Sequence, residues 1–271
     1  MVATRAEAEN IERFTDRYRR FCSPTGIAVE NQALGADYGS TGYTTRAQAH
    51  ELARRLRLGP GDRLADVGAG SGWPGLYLAS LTGCRVVGTD LPIDGLQRAV
   101  CRSIEDGVNG WAAYVVATGR HQPFRRGVFD AVVHTDVLCC LSPKLAVLRA
   151  CRQLLRPGGR LAFTTILIAS GLDAAQHRRA ARAGPWHVAT RRPYLELVSQ
   201  AGFVNAVETD VTDDYAQTQQ AWIDASESRA DALRQLTSDR EFTLGQADRR
   251  LTHDAIAQGL LRRSLITATR H

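Results

Sequence analysis

Apolar residues recur at Ile11, Phe14, Tyr18 and Phe21, spacings of three, four and three, which predict a helix over 5–21 with one apolar face. Ser23-Pro24 and Gly26 are read as its end. A glycine-rich stretch, 34–43, predicts a loop. Thr44 or Thr45 then caps a helix whose stripe is Ala49, Leu52, Ala53 and Leu56. After the Gly59-Pro60-Gly61-Asp62 turn the periodicity changes. A short apolar strand from Arg63 runs into glycines at Gly68, Gly70 and Gly72. Pro74 suits the first turn of a helix whose stripe is Leu76, Leu78, Ala79 and Leu81, and a second strand ends at Asp90.

Alternation of strand and helix continues from there. Helices are expected over 93–104 and 143–155, and strands over 111–116, 129–134 and 161–168, with Arg156-Pro157-Gly158-Gly159 as a break before the last. Buried strands alternating with amphipathic helices predict an α/β fold with a doubly wound, mostly parallel sheet. Two stretches exceed what such a sheet needs. Residues 169–192 contain Trp186-His187. Residues 210–260 carry Tyr215, Trp222, Ile223 and Leu233, which suggest an amphipathic helix, with a second over 247–260.

Composition adds exclusions. With 271 residues, 44% apolar and 23% charged, the chain reads as one globular domain with additions. No run approaches the roughly 18 apolar residues that cross a bilayer, and the amino terminus lacks the apolar core of a secretion signal. A cytoplasmic location is therefore expected. None of the six cysteines forms a Cys-x-x-Cys pair, and the seven histidines lack ligand spacing, so no metal site is expected. The net charge of +6 comes almost wholly from arginines spread in pairs from Arg54-Arg55 to Arg262-Arg263, whereas a nucleic-acid footprint concentrates on one face.

The candidate chemistry centres on 63–90. A dinucleotide fingerprint would place its third glycine at position 73, where Trp73 stands. The order Asp66-Val67-Gly68-Ala69-Gly70-Ser71-Gly72, with Asp90 at the next strand end, instead resembles motif I of the class I S-adenosylmethionine-dependent methyltransferases. Further stretches resemble the same family in order: Pro123-Phe124 with Phe129-Asp130, Leu155-Arg156-Pro157-Gly158-Gly159, Gln200-Ala201-Gly202-Phe203, and Ser264 to Thr269 as an antiparallel seventh strand inserted at the edge of the sheet.

That resemblance implies a Rossmann-like sheet of seven strands, a helical cap or lid over 1–58, and a cofactor-binding domain over 59–271 whose insertions 169–192 and 210–260 shape an acceptor pocket or a homodimer contact. It implies S-adenosylmethionine as cofactor, S-adenosylhomocysteine as product and a small-molecule methyl acceptor reacting through oxygen, nitrogen or carbon. Asp66 would face the cofactor's ammonium, directly or through water, and Asp90 would accept from both ribose hydroxyls. Gly68, Ala69, Gly70 and Gly72 would leave room for it, and Leu91 would line the adenine. Thr118 and Gly119 stand where the family often has an adenine-binding Asp, and Tyr43, with Tyr38, lies in the lid-like loop. His134, at a strand end, could touch the cofactor or act as a base. Asp136 and His187 are the other candidate bases, histidine having a suitable unperturbed pKa. Three other readings remain open: a nucleic-acid methyltransferase, disfavoured because His134-Thr135-Asp136-Val137 replaces the Asn/Asp-Pro-Pro-aromatic tetrad, an NAD(P) oxidoreductase, and a non-catalytic cofactor-binding protein.

Overall fold

The computed structural model describes residues 4–271. Its strands are β1 (Arg63–Val67), β2 (Arg85–Asp90), β3 (Ala112–Val116), β4 (Phe129–Thr135), β5 (Leu155–Ile168), β6 (Phe203–Asp210) and β7 (Leu261–Arg270). They form one seven-stranded sheet in the order β3-β2-β1-β4-β5-β7-β6. The first five are parallel to one another, and β7 runs antiparallel between β5 and β6. This is the Rossmann-like arrangement expected from the sequence. The strand order reverses between β1 and β4, which opens a crevice at their carboxyl ends.

Both faces of the sheet are covered. On one side α3 (Arg46–Leu56) and α4 (Gly75–Thr82) join Leu64, Val86 and Val133 in a single core. On the other, α6 (Lys144–Leu154) and α8 (Tyr194–Gln200) pack with Val132, Phe163 and Ile266. The stripe of α3 is thus part of the sheet's own core, and the boundary drawn at residue 58 passes through continuous packing. Helix α5 (Ile93–Glu105) covers β2 and β3.

Several elements differ from their sequence reading. Ser23-Pro24 does not only close α1 (Arg5–Phe21). It opens α2 (Pro24–Leu34), with the Ser23 side chain accepting from the Gly26 N–H and Pro24 in the first turn. Ser-Pro is as good a start as a stop, because proline lacks only an N–H that the first turn leaves unpaired. Leu81, read as part of the α4 stripe, is 42% exposed, while Leu76, Leu78 and Ala79 are buried. The Pro-Gly-Gly break lies inside β5: Leu155 pairs with Phe129 and Arg160 with Ala131, so 156–159 bulge against Asp130. The first insertion holds α7 (Ala174–Ala183). The second forms three helices where two are expected: α9 (Thr212–Glu227), α10 (Ala230–Leu236), which carries Leu233, and α11 (Asp239–Ala257). The Ser238 side chain caps α11 by accepting from the Glu241 N–H, eight residues ahead of the expected start.

One ion pair fastens these layers together. The Arg263 side chain on β7 is fully buried and donates to Asp136 through Nε (2.9 Å) and Nη2 (2.8 Å). Its other protons go to Thr164 Oγ1 on β5 (3.0 Å), Thr44 Oγ1 (3.1 Å), Gln48 Oε1 (2.8 Å) and the Tyr43 carbonyl (3.3 Å). A buried guanidinium needs such a complete set of acceptors, since an unpaired charge in the interior is costly. Asp136 adopts a left-handed backbone conformation at φ +56°, which Asp tolerates better than most residues.

His134 sits just before this pair on β4 but faces the other way. Side chains alternate along a strand, so His134 shares the side of Val132 and stacks on Phe163, with ring centroids 4.5 Å apart. It is fully buried, and burial depresses its pKa to about 3.

Two stability measurements follow. Arg263→Leu should cost about 3–5 kcal/mol in urea denaturation, because Asp136 is left buried and charged, and adding Asp136→Asn should recover part of that loss. A histidine whose folded pKa lies below its unfolded value of about 6.5 is protonated first in the unfolded chain, so stability falls as pH drops through 6.5. The His134 contribution between pH 7 and pH 5 should be a loss of about 2 kcal/mol. Comparing denaturation of His134→Phe with the parent at both pH values isolates it.

Candidate functional site

A cavity of about 830 Å³ occupies the crevice at the carboxyl ends of β1 and β4. Its floor is the glycine-rich turn: Gly68, Ala69, Gly70 and Ser71 line it, and the N–H groups of Gly68 and Ala69 donate to the Thr89 carbonyl at 2.7 and 3.1 Å. Two glycines here are sterically required. Gly68 has φ +80°, and a Cβ on it would fall 2.4 Å from Val137 Cγ2. Gly70 has φ +52°, and its Cβ would fall 2.3 Å from the Tyr18 hydroxyl. Gly72 faces away from the cavity and lets Leu76 and Ala99 approach the turn.

Asp90 lines the cavity beside this floor, half-buried. Its Oδ2 accepts from the Gly70 N–H (2.9 Å) and its Oδ1 from the Leu91 N–H (2.7 Å), so the carboxylate is oriented by the turn it faces. Burial raises its pKa to about 6 in spite of those two donors. Asp66, on the neighbouring strand β1, is buried beneath the start of α4. A Cβ on Gly75 would meet its Oδ2 at 2.3 Å, and it does not line the cavity. Burial, with the Asp90 charge adding to it, raises the Asp66 pKa to about 8. Asp66 Oδ2, Ser71 Oγ and Thr89 Oγ1 are buried with no hydrogen-bond partner among the described residues. A side-chain-free cradle bordered by unpaired polar atoms and an oriented carboxylate fits a polar nucleoside.

Leu91 and Gly119 line the cavity as the sequence suggested, with Ala117 and Pro92 beside them. Thr118 does not. It is buried in a short antiparallel bridge with His121, and the alternation about that bridge turns its side chain away.

The roof comes from α1 and the segment 40–44. Helix α1 is tied across the strand ends by Arg120 donating to Glu7 (3.1 Å from both Nε and Nη2), by Asn10 donating to the Cys140 carbonyl (3.2 Å) and by Arg19 pairing with Asp94 (3.2 Å). It lowers Tyr18 onto the glycine turn and Phe14 and Arg17 into the cavity wall. Tyr43 lines the cavity and meets the Tyr215 ring edge-on at 5.0 Å. Tyr38 is instead buried against Trp73 (5.2 Å), its hydroxyl donating to Asp106 at 2.8 Å. Trp73, the residue that breaks the dinucleotide pattern, donates its indole N–H to the Thr44 carbonyl at 2.8 Å and so helps hold the roof down.

The three candidate bases are corrected by this geometry. His134 lies in the core against Phe163 and lines no part of the cavity. Asp136 does line it, but Arg263 holds both its oxygens. His187 does not line it either: its backbone N–H donates to the Cys139 carbonyl (3.0 Å) and its carbonyl accepts from Lys144 Nζ (2.5 Å), which turns Trp186 to the cavity in its place. Burial and the charges of Lys144 and Arg13 hold the His187 pKa below its usual value. Sequence reasoning missed Tyr18, Tyr215, Arg249 and Arg263. Tyr18 stood out only as one position of an apolar stripe, and Arg263 as half of an arginine pair. Among the described residues no cluster of three or more potential metal ligands occurs, and no helix is long and apolar enough to cross a membrane.

Residues 65–163, from β1 to β5, match the family model described as a methyltransferase domain. The chain is 30% identical over 213 residues to 27-O-demethylrifamycin SV methyltransferase of Amycolatopsis mediterranei, covering 75% of this chain and 76% of that protein. It is 26% identical over 207 residues to phosphoethanolamine N-methyltransferase 1 of Zea mays, covering 76% of this chain, yet it spans only about two fifths (40%) of that enzyme's length. In fold it resembles phosphoethanolamine N-methyltransferase 2 of Haemonchus contortus (TM-score 0.80, 18% identity, 99% of this chain and 60% of that one) and geranyl diphosphate C-methyltransferase of Streptomyces coelicolor (TM-score 0.73, 19% identity, 99% of each). With the strand order, the glycine floor and a 30% identical relative matched over three quarters of its length in agreement, the chain belongs to the class I S-adenosylmethionine-dependent methyltransferases.

Proposed function

We propose that this chain transfers a methyl group from S-adenosylmethionine to a small molecule by in-line displacement. The observation that carries the reading is Asp90 held at the cavity floor by Gly70 and Leu91, beside a turn whose glycines cannot carry side chains. When bound, the cofactor supplies a methyl group on a sulfonium that is already a leaving group.

The protein's part is then alignment and the exclusion of water. Asp90 would hold the ribose hydroxyls, a charged acceptor being suited to two donors. Gly68 to Ser71 would support the cofactor's amino-acid end, and Leu91, Pro92 and Gly119 would enclose the base. Asp66 would act from beneath, its carboxyl close to the start of α4, with a bound ammonium favouring the ionised form that burial disfavours at neutral pH. Tyr18 and Tyr43 close the roof. No histidine of the described residues lines the cavity, so no side-chain imidazole is assigned to deprotonate the acceptor. The relatives' names span transfer to nitrogen, oxygen and carbon, which supports a small-molecule acceptor without choosing among them.

Calorimetric titration tests the reading directly. S-adenosylhomocysteine should bind and NAD should not. Asp90→Ala should weaken S-adenosylhomocysteine by about 2 kcal/mol, the loss of a charged hydrogen-bond acceptor, and unchanged affinity in a folded variant would remove Asp90 from the ribose site. Because its pKa is raised to about 6, Asp90 becomes a neutral and poorer acceptor below that value. Affinity should therefore decline as pH is lowered from 7 to 5, and Asp90→Asn should flatten that part of the profile.

A further inference from the structure

Beyond the cofactor floor the cavity continues between α1, α7, α9 and α11, and its volume of about 830 Å³ lies toward the upper end of the roughly 300–1,000 Å³ typical of ligand pockets. This second arm carries a run of apolar side chains. Phe14, Trp186, Tyr215, Leu236, Phe242 and Leu251 line it, and Trp186, Leu236 and Leu251 are 42–46% exposed within it. Four arginines line the cavity, Arg17 and Arg20 from α1, Arg182 from α7 and Arg249 from α11, and of these Arg17 is the one whose charge reaches Arg249.

Arg249 is unusual among the inward-lying arginines of this chain. Arg263 is paired with Asp136, Arg102 with Asp37 and Asp106, and Arg98 with Glu105. The Arg249 guanidinium instead lies 4.7 Å from the Trp222 ring centroid, and among the described residues it makes no ion pair. Arg17, near the rings of Phe14 (5.7 Å) and Trp186 (5.9 Å), makes none either. Two carboxylates of α11, Glu241 and Asp248, also reach the cavity wall, but both are exposed and neither pairs with either arginine. The charges that act on Arg249 are those of Tyr43, Tyr215 and Arg17, and its burial with a like charge nearby lowers its pKa. Stacking on an indole satisfies the face of a guanidinium and leaves its N–H edge free for a planar anion.

We propose that Arg17 and Arg249 are an anion-recognition pair in the acceptor arm, so that the methyl acceptor is a largely apolar molecule carrying a carboxylate or a phosphate. The assignment of the arm to the acceptor rests on the methyltransferase reading, whereas the anion site itself does not. The two cations come from different elements, one on the roof helix and one on the insertion, and their charges act on one another. An anionic acceptor would therefore relieve their mutual repulsion and draw the roof and insertion together, while its apolar body covers the aromatic wall.

Calorimetric titration of the full chain saturated with S-adenosylhomocysteine, using dodecanoate, dodecyl phosphate and the neutral dodecanol as probes, tests the pair. Both anions should bind about tenfold or more tightly than dodecanol, as charge-assisted hydrogen bonds require. Arg249→Gln should abolish that preference, and Arg17→Gln should reduce it. Arg250→Gln, which removes a cation paired outside the cavity with Glu227, should leave it intact. The comparison of dodecanoate with dodecyl phosphate identifies which anion the site prefers. Equal binding of acid and alcohol, absence of binding by all three, or a preference that survives both Arg17→Gln and Arg249→Gln overturns the proposal. S-adenosylhomocysteine affinity, measured separately on each variant, should stay within about twofold of the parent, since neither arginine borders the glycine floor and only an indirect effect is expected. If the chain fails to bind S-adenosylhomocysteine at all, the methyltransferase reading falls, and the same titrations without it still decide whether the anion site exists.

Discussion

The molecule depends on one buried cation being completely satisfied. Arg263 lies in the sheet's interior, where a guanidinium is tolerated only if a carboxylate and further acceptors surround it. Asp136 supplies the carboxylate from the end of β4, and Thr44, Gln48, Thr164 and the Tyr43 carbonyl supply the remainder. With Arg263 itself, these groups come from four separate stretches of chain. Their convergence fixes the roof segment, the β4 end and the antiparallel β7 relative to one another. The wall between the cofactor floor and the acceptor arm is thus set by electrostatics as much as by apolar packing.

The floor is held by a different logic. There the backbone makes the site, and side chains are excluded: Val137 and Tyr18 approach Gly68 and Gly70 so closely that a methyl group at either glycine would collide. Asp90 is oriented by the Gly70 N–H of that turn and by the N–H of its neighbour Leu91. Burial has raised the pKa values of Asp66 and Asp90 to about 8 and about 6, so the floor holds less negative charge at neutral pH than its two carboxyls imply. A cationic or hydroxyl-rich ligand that favours the ionised forms would meet partners whose cost of desolvation folding has already met.

The floor was legible in the sequence because its constraint is local. Strand, glycine spacing, helix and terminal carboxylate all fall within 63–90, and the β-α alternation that follows fixes the sheet. What the sequence concealed was set by which way a side chain faces or by partners far along the chain. His134 ends β4 at a position where either face is open to it, and alternation sends it to Phe163. Asp136 looked like a free carboxylate because its partner is 127 residues away. The signal for Arg263 was present but faint: it stands between Leu261 and Leu265 at period two, an arginine in register with buried leucines, whereas its neighbour Arg262 points outward to pair with Asp210. Ser23-Pro24 closes α1 as read and also opens α2, because helix starts and ends share the same residues.

An enzyme built this way separates two tasks that could have been merged. The family's shared chemistry needs little from side chains, because the leaving group is already activated, and the floor accordingly offers geometry and few ionisable groups. In the proposed reading, recognition of the acceptor would fall to α1, α7 and the 210–260 insertion, elements added outside the β-α alternation. Of these α1 is also tied to the floor, since its Tyr18 packs on Gly70. The guanidiniums of Arg17 and Arg249 lie on these added elements, which is where specificity for one acceptor over another would reside in that reading.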